Sequence, residues 1–275
     1  MKRAKTRTDA ELSKQEKFVR DHRHYHHKVS ACRFFIFAFF LLLWEISADM
    51  GWIDTFFFCS PSGVVRCFLE LTTGNSLFLH IGITLFETLA SFFLVIIFGM
   101  GVATLLWYSN AASEILEPYL VILNSLPKSA LAPLFIVWLG TGTTTIIVAG
   151  ISVAVFGSII SLFTGFKHVD SEKITLIYTL GGTKKDAFFK VVLPGSIPTI
   201  LSTMKVNIGL ALVGVIIGEF LAARRGLGYL IIYGSQVFRM NMVITSIILL
   251  CMIAMGLYQI IQCVEHWYKK NRTLS

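Results

Sequence analysis

Long apolar runs separated by short polar stretches dominate the pattern of this chain. A membrane-spanning helix needs about 20 mostly apolar residues. The stretches that meet or nearly meet this length are 31–48, 77–108, 117–139, 143–165, 197–221 and 241–264. Their apolar residues are continuous and lack the short periodicity of a water-facing fold. The pattern therefore predicts an all-α membrane protein with about six transmembrane helices.

The segment 49–76, between the first two runs, carries a helix signal of its own. Ser60-Pro61-Ser62 is a typical helix start, and apolar residues follow it at helical spacing. We expect a short amphipathic helix here, lying at the membrane interface.

The polar segment between the fourth and fifth runs is too long for a simple turn. A helix is expected to begin at Ser171, capped by Asp170 or by Ser171 itself. Gly181-Gly182 would end it, and a second helix should start near Thr183. Pro194 and Pro198 are expected to break the chain before the fifth run.

Composition and charge agree with a membrane location. The chain is 55% hydrophobic and only 15% charged, whereas soluble domains are about a quarter charged. Its net charge is +8, and Lys and Arg concentrate in residues 1–30, in 166–193 and after 268. Basic residues are retained on the cytoplasmic side, so we expect a multi-pass protein of the cell membrane with both termini in the cytoplasm. Nucleic-acid binding is disfavoured because aromatic and basic side chains are not interleaved on a polar surface.

These features divide the chain into a simple series of segments. The expected segments are a cytoplasmic basic tail (1–30), a first transmembrane helix with an external amphipathic segment (31–76), a transmembrane core (77–267) with a cytoplasmic loop at 166–196, and a cytoplasmic tail (268–275).

Two charged residues fall deep inside apolar runs, where each is costly enough to need a reason. Glu87 lies well within the second run and Lys205 within the fifth. They could pair with each other or with a second subunit, or they could line a translocation pathway. Gly214 and Gly218, four residues apart, are expected to let two helices approach closely.

Other polar residues suggest a pathway more directly. Lys128 lies between Pro127 and Pro133, and broken helices in membranes are tolerated where they line a cavity or other protein. The predicted pathway residues in this stretch are Asn124, Ser125, Lys128 and Ser129.

Glu219, near the outer end of the fifth run, is the last pathway candidate. It could belong to an outer gate or to the contact with a substrate-delivering protein. Alternatively, it is an interfacial residue held by Arg224 or Arg225.

The residues that enzymes need are not arranged together. His80, His168 and His266 are scattered, and no nucleophile motif, metal-ligand spacing or pair of carboxylates is visible. A membrane enzyme is therefore a weak alternative. The His-rich stretch 22–27 could bind a metal or belong to the solvated tail, and Cys59 could pair with Cys67 outside the membrane.

No phosphate-binding loop of the G-x-x-x-x-G-K-S/T type occurs. Gly181-Gly182-Thr183-Lys184 lacks the first glycine and follows no buried strand. Any ATP-driven work must therefore depend on another chain.

The segment around Gly181 resembles the cytoplasmic signature of binding-protein-dependent ABC transporter permeases. The matching residues are Leu180-Gly181, Val191-Val192-Leu193-Pro194, Ile197-Pro198, Glu219-Phe220-Leu221-Ala222 and Gly226-Leu227-Gly228-Tyr229. The chain is most similar to the branch that handles sulfonates, taurine, nitrate, bicarbonate and precursors of thiamine or riboflavin. It departs from the family pattern at Thr175-Leu176-Ile177, where relatives carry Glu-Ala-Ala.

The resemblance implies a type I ABC importer permease fold that forms the translocation pathway for a small solute. Residues 172–183 would be a coupling helix that docks on a cytoplasmic ATPase subunit. The residues it assigns to coupling are Thr175, Tyr178, Leu180, Gly181, Gly182, Leu193 and Pro194.

The same resemblance implies the partners. They would be the ATPase, an extracytoplasmic substrate-binding protein and a second permease copy, most simply in a homodimer. This chain would be a transport subunit without a cofactor of its own, and the partner ATPase would use ATP and Mg²⁺. A secondary carrier or channel independent of ATP is the alternative, although such carriers usually show inverted repeats and none is visible.

Overall fold

The computed structural model describes residues 14–74 and 76–272, and within these ranges it contains helices and no strand. The chain divides into two compact units, residues 1–64 and 65–275. The helices are α1 (Lys14–Asp49), α2 (Thr55–Phe58), α3 (Pro61–Thr73), α4 (Ser76–Tyr108), α5 (Asn110–Ser125), α6 (Lys128–Leu139), α7 (Thr143–Lys167), α8 (Ser171–Thr179), α9 (Lys184–Ala187), α10 (Leu193–Ala222), α11 (Leu227–Gln236) and α12 (Met240–Arg272).

The first unit consists of α1 and the start of the amphipathic segment. Helix α1 begins at Lys14, so part of the predicted basic tail is helical, and its Ala31–Asp49 portion is apolar enough to cross a membrane. Ser60 Oγ accepts a hydrogen bond from the backbone N–H of Gly63 at 3.1 Å and caps the first turn of α3. The helix predicted at Ser60-Pro61 is therefore confirmed.

The remaining sequence candidates in the first 70 residues are the cysteine pair and the His-rich stretch. Cys67 is a free thiol buried in α3, and burial raises the pKa of this thiol, so the possible Cys59–Cys67 disulfide is not formed. Most side chains of the 22–27 His stretch lie outside the described residues, and its metal binding stays a prediction.

The predicted spans correspond to five long apolar helices and one bent pair, giving up to six crossings in the described part. The third predicted run is not straight, because α5 and α6 meet at an angle of 94°. The predicted break at Pro194 and Pro198 is wrong. A single helical path runs from Lys184 to Ala222, with the π-helical turn Phe188–Val192 directly before Pro194 and with Pro198 inside α10.

Helices α4, α7 and α10 form the centre of the second unit, and small residues let them approach closely. An added Cβ on Gly214 of α10 would lie 2.7 Å from Gly150 Cα of α7 and 2.8 Å from Ala149 O. The corresponding atom on Gly218 would lie 2.9 Å from Ile146 Cα. The predicted packing role of these two glycines is confirmed.

The functional candidates lie at opposite ends of these three helices. At one end, called the α8 end below, the α9 residue Lys184 reaches Tyr108 at the C-terminus of α4. At the other, the α11 end, the start of α11 bonds to His80 and Thr84 near the N-terminus of α4.

Candidate functional site

The α8 end carries a helix–turn–helix whose geometry follows from local sequence signals. The Asp170 carboxylate accepts a hydrogen bond from Glu172 N at 3.0 Å and caps the N-terminus of α8. Gly181 adopts the left-handed conformation (φ +80°), and Gly182 N donates to Ile177 O at 2.8 Å. This is a regular glycine-terminated helix end, so the predicted start and end of the first helix are confirmed.

The second helix begins with a capping box. Thr183 Oγ1 accepts from Asp186 N at 3.3 Å, and Asp186 Oδ2 accepts from Thr183 N at 3.0 Å. Asp186 also forms an ion pair with Lys190 at 2.8 Å. A π-helical turn, Phe188–Val192, then joins α9 to α10. The cap fixes where the chain turns away from α8.

Aromatic packing anchors this helix–turn–helix to the transmembrane bundle. The Phe188 ring is buried, with its centroid 5.1 Å from that of Trp107 and 5.5 Å from those of Tyr108 and Phe166. Lys184 Nζ donates to Tyr108 O at 2.9 Å. Displacement of α9 would therefore displace the ends of α4 and α7 with it.

Three apolar side chains on α8 and at its C-terminal end are exposed in the described part of the chain. Leu176, Tyr178 and Leu180 are 57%, 43% and 75% exposed, whereas Ile174 packs against the core beneath. The structure places four of the predicted coupling residues in α8 or at its C-terminal end: Thr175, Tyr178, Leu180 and Gly181. Leu193 lies apart from them, against the same core as Phe188.

Lys128, one of the predicted pathway residues, bridges the α5–α6 break. Lys128 Nζ donates to Leu123 O at 2.9 Å and also to Asn124 O, so it caps the last carbonyls of α5. Ser125 Oγ donates to Val121 O at 2.9 Å. These contacts explain why a lysine is placed there, and a pathway role for the same residues stays a prediction.

Of the alternatives for Glu87 and Lys205, pairing with each other does not occur, and a pathway role for either stays a prediction. Lys205 instead forms an ion pair with Glu265 of α12, and its Nζ lies 5.9 Å from the centroid of the Tyr258 ring. Glu265 also pairs with Lys269 at 2.8 Å. Lys205 therefore joins α10 to α12.

Glu219 joins three elements at the α11 end, and its predicted role in an outer gate or a binding-protein contact stays a prediction. Its carboxylate accepts a hydrogen bond from Thr84 Oγ1 at 2.6 Å and another from Gly228 N at 2.5 Å. Thr84 Oγ1 in turn accepts from Leu227 N at 2.8 Å. No ion pair joins Glu219 to Arg224 or Arg225 in the described part of the chain. The alternative that an arginine holds it is wrong.

Two residues at this end were missed from the sequence. His80 Nδ1 accepts a hydrogen bond from Gly226 N at 2.9 Å, and Thr84 bridges two elements. With Glu87 they follow the spacing i, i+4, i+7 on an otherwise apolar helix. That spacing places all three on one face of the helix. This polar face was the sequence signal from which a shared site could have been predicted.

Glu87 lies beside Glu219, so the structure forms a pair of carboxyl groups that the sequence did not reveal. Glu87 is 1% exposed. It also lines an open cavity of about 670 Å³ at the α11 end. The residues that share this cavity are Gly82, Ile83, Phe86, Glu87, Thr141, Gly142, Thr143, Ile146, Ala222, Ala223, Arg224 and Arg225.

Comparison with known protein families identifies the class of membrane protein. The model of the family described as "Binding-protein-dependent transport system inner membrane component" matches residues 95–263, more than half of the chain. The match includes the α8–α9 segment and the Glu219–Gly228 turn.

Individual relatives agree with the family match. The chain is 28% identical to a "Probable ABC transporter permease protein" of Haemophilus influenzae over 82% of its length and 91% of the relative. It is 28% identical to the formylaminopyrimidine transport permease protein ThiX of Halalkalibacterium halodurans (70% and 76%). It is 26% identical to the taurine transport system permease protein TauC of Escherichia coli (79% and 81%).

Solved structures support the fold. The chain matches an inward-facing structure of the MetNI methionine ABC transporter with a TM-score of 0.61 and 18% identity, over 70% of this chain and 96% of that one. At this identity the similarity establishes the fold alone, which is that of type I ABC importer permeases.

Proposed function

Because this chain belongs to the inner membrane components of binding-protein-dependent transport systems and is a permease subunit of an ABC importer, we propose that α8 couples it to a separate ATPase. In this proposal α8 docks on a cytoplasmic ATPase subunit, which binds and hydrolyses ATP with Mg²⁺. The movement of that subunit is transmitted through α9 to α4 and α7 as a rigid-body displacement.

The observation that carries this proposal is the combination of exposed apolar side chains and a rigid base. Leu176 and Tyr178 of α8 and Leu180 at its C-cap are exposed, and the helix is bounded by the Asp170 cap and the Gly181 turn. A cluster of exposed apolar side chains on a polar loop is typical of a docking surface for another protein. The aromatic anchor at Phe188 provides the mechanical connection to the bundle.

The departure from the family's Glu-Ala-Ala pattern fits the same surface. Thr175-Leu176-Ile177 replaces the acidic residue, and the Thr175 hydroxyl is used within the helix, donating to Ser171 O at 2.9 Å. The contact with the ATPase would therefore depend on apolar burial more than on an ion pair at this position.

Docking of α8 on a cytoplasmic ATPase implies the orientation of the chain in the membrane. The α8 end faces the cytoplasm, since an ATP-using partner is there, and both termini lie on that side. The α11 end then faces the external medium, where a substrate-binding protein would deliver the solute. Two copies of the chain would enclose the pathway, as a homodimer.

The relatives suggest the class of solute. Those with assigned names are described as permeases for formylaminopyrimidine, aliphatic sulfonates, taurine and riboflavin. We propose that the solute is likewise a small polar molecule, and that the separate binding protein largely sets its identity.

The test is a substitution of Leu180, the exposed apolar residue at the C-cap of α8. Leu180→Arg should lower the recovery of the co-expressed ATPase with the purified permease by about tenfold, as expected for loss of a central apolar contact. Leu180→Met, which keeps the side chain apolar, should retain it. Both variants should insert into the membrane normally because residue 180 touches little of the bundle.

Two outcomes would contradict the proposal. One is unchanged recovery of the ATPase with Leu180→Arg. The other is transport by the purified chain alone, in vesicles with an ion gradient and no ATPase, which would favour the secondary carrier.

A further inference from the structure

Two buried glutamates meet at the α11 end. Glu87 of α4 and Glu219 of α10 are each 1% exposed, and their carboxyl groups are in hydrogen-bonding contact with each other. Arg224 and Arg225 line the cavity beside Glu87, but within the described part of the chain neither forms an ion pair with either glutamate. Two adjacent buried carboxylates repel each other strongly, and a hydrogen bond between them requires a proton on one of them.

The hydrogen bonds around Glu219 mark it as the ionised member of the pair. Thr84 Oγ1 accepts from Leu227 N at 2.8 Å, so its own proton can point to Glu219 Oε1, which lies 2.6 Å away. Gly228 N donates to the other oxygen, Glu219 Oε2, at 2.5 Å. Both oxygens of Glu219 therefore accept from donors, and hydrogen bonds donated to a carboxylate favour its charged form.

The turn before α11 fits closely around this carboxylate. An added Cβ on Gly228 would lie 2.8 Å from Glu219 Oε2, and one on Gly226 would also collide with the Glu219 carboxyl group. Gly226 N donates to His80 Nδ1 at 2.9 Å, which holds the turn against α4. A side chain at either glycine would displace Glu219, so the backbone itself forms the site of the anion.

Glu87 has the surroundings of a neutral acid. Apart from Glu219, its side chain hydrogen-bonds to Thr143 at the start of α7, and its Oε2 is buried without a partner among the described residues. A buried carboxylate needs several donors to replace the water it has lost. A protonated carboxyl group needs fewer, and it can donate its proton to an adjacent carboxylate in a short, charge-assisted hydrogen bond.

We propose that the α11 end binds one proton between these two glutamates, with Glu87 as the neutral acid that donates to the Glu219 carboxylate. The bound proton joins α4 to α10, and through Thr143 and Gly228 the same pair contacts the starts of α7 and α11. Loss of the proton would leave two adjacent anions and favour separation of α4 from α10 at this end. Glu87 is therefore a positioning residue. This inference goes beyond the proposed coupling to an ATPase and does not depend on it.

Infrared spectroscopy tests the proposal, because the C=O stretch of a protonated carboxyl group is separate from the bands of amides and ionised carboxylates. The full chain is purified in a maltoside detergent, which contains no carbonyl group, and is measured at neutral pH, where exposed glutamates are ionised. Exchange into ²H₂O shifts an acid band and leaves the bands of residual lipid esters in place. The wild-type chain should show an acid band, and Glu87→Gln should lose it. Glu114→Gln is the matched control and should retain the band, because Glu114 is exposed.

A variant of the second glutamate identifies the donor. Glu219→Gln should retain the acid band but move it to higher frequency, because the proton then meets an uncharged acceptor and forms a weaker hydrogen bond. A wild-type spectrum without an acid band overturns the proposal. So does an acid band that survives Glu87→Gln, or one that disappears in Glu219→Gln.

Denaturation of the wild-type chain gives a check that needs no variant. Heating in dodecyl sulfate at neutral pH exposes both carboxyl groups to water, where a glutamate is ionised, so the acid band should disappear. A band that persists after denaturation does not arise from the buried pair and overturns the proposal. The spectra are recorded without ATP and without an ATPase, so failure of the coupling test with Leu180→Arg would leave their result standing.

Discussion

At the residue scale, buried charged groups are held by contacts from other helices. Glu87 and Glu219 stand out in an apolar chain because each is costly in a membrane. Their partners are not predictable from the pattern, since they come from α4, α10 and the turn before α11. The same is true of Lys205, whose partner Glu265 lies on another helix. The cost of burying a charged residue is visible from the sequence around it. The partner that offsets this cost is known only once the fold brings distant helices together.

Close helix packing gives a prediction at the same scale. Gly214→Ala should destabilise the bundle by about 1–3 kcal/mol, the usual cost of overpacking, because the new Cβ meets the backbone of α7 at Gly150 and Ala149. Gly209→Ala is the matched control on the same helix, since a Cβ there meets nothing within 4 Å. Thermal unfolding of the purified variants in detergent measures both. Equal unfolding temperatures for the two variants would contradict the packing role.

At the scale of single elements, the α8–α9 segment was largely predictable because its signals are local. The Asp170 cap, the glycine terminus and the start at Thr183 each depend on a few neighbouring residues. The continuation into α10 was not predictable. Proline normally ends a helix, but here a π-helical turn, Phe188–Val192, precedes Pro194 and the path stays helical through Pro198.

The conformation of Gly181 supports a second prediction. Its φ of +80° is costly for residues with a Cβ, and nothing lies within 4 Å of the added atom, so any effect of substitution arises from the backbone alone. Gly181→Val should shift the end of α8 and lower ATP-dependent uptake, at a conformational cost of about 1–2 kcal/mol. Insertion into the membrane should be unchanged.

Gly181→Asn is the control for this prediction, because asparagine enters the left-handed region more readily than other residues. It should retain more transport than Gly181→Val when ATP hydrolysis and uptake are measured together in reconstituted vesicles. Normal coupling in Gly181→Val would show that the position of the helix end is unimportant for docking.

At the scale of the whole molecule, hydropathy and charge predicted the class of fold and nearly all of the spans. Five of the six predicted runs coincide with long helices of the structure. The sixth, 117–139, is bent by 94° between α5 and α6, where Pro127 removes a backbone donor and Lys128 caps the carbonyls left exposed. Hydropathy measures how apolar a stretch is, and it carries no information on the direction of the chain.

The orientation of the molecule is the last prediction, and the coupling proposal depends on it. Thr179→Cys places a thiol at the α8 end, and Thr141→Cys places one at the α11 end; both residues are exposed. A membrane-impermeant maleimide applied to intact spheroplasts should label position 141 and leave position 179 unlabelled. Inverted vesicles should give the opposite result. The concentration of basic residues in 1–30 and 166–193 favours this arrangement because basic segments are retained in the cytoplasm. Labelling of position 179 from outside would place α8 where no ATP-hydrolysing subunit can reach it, and the exposed side chains of Leu176, Tyr178 and Leu180 would then need an external partner.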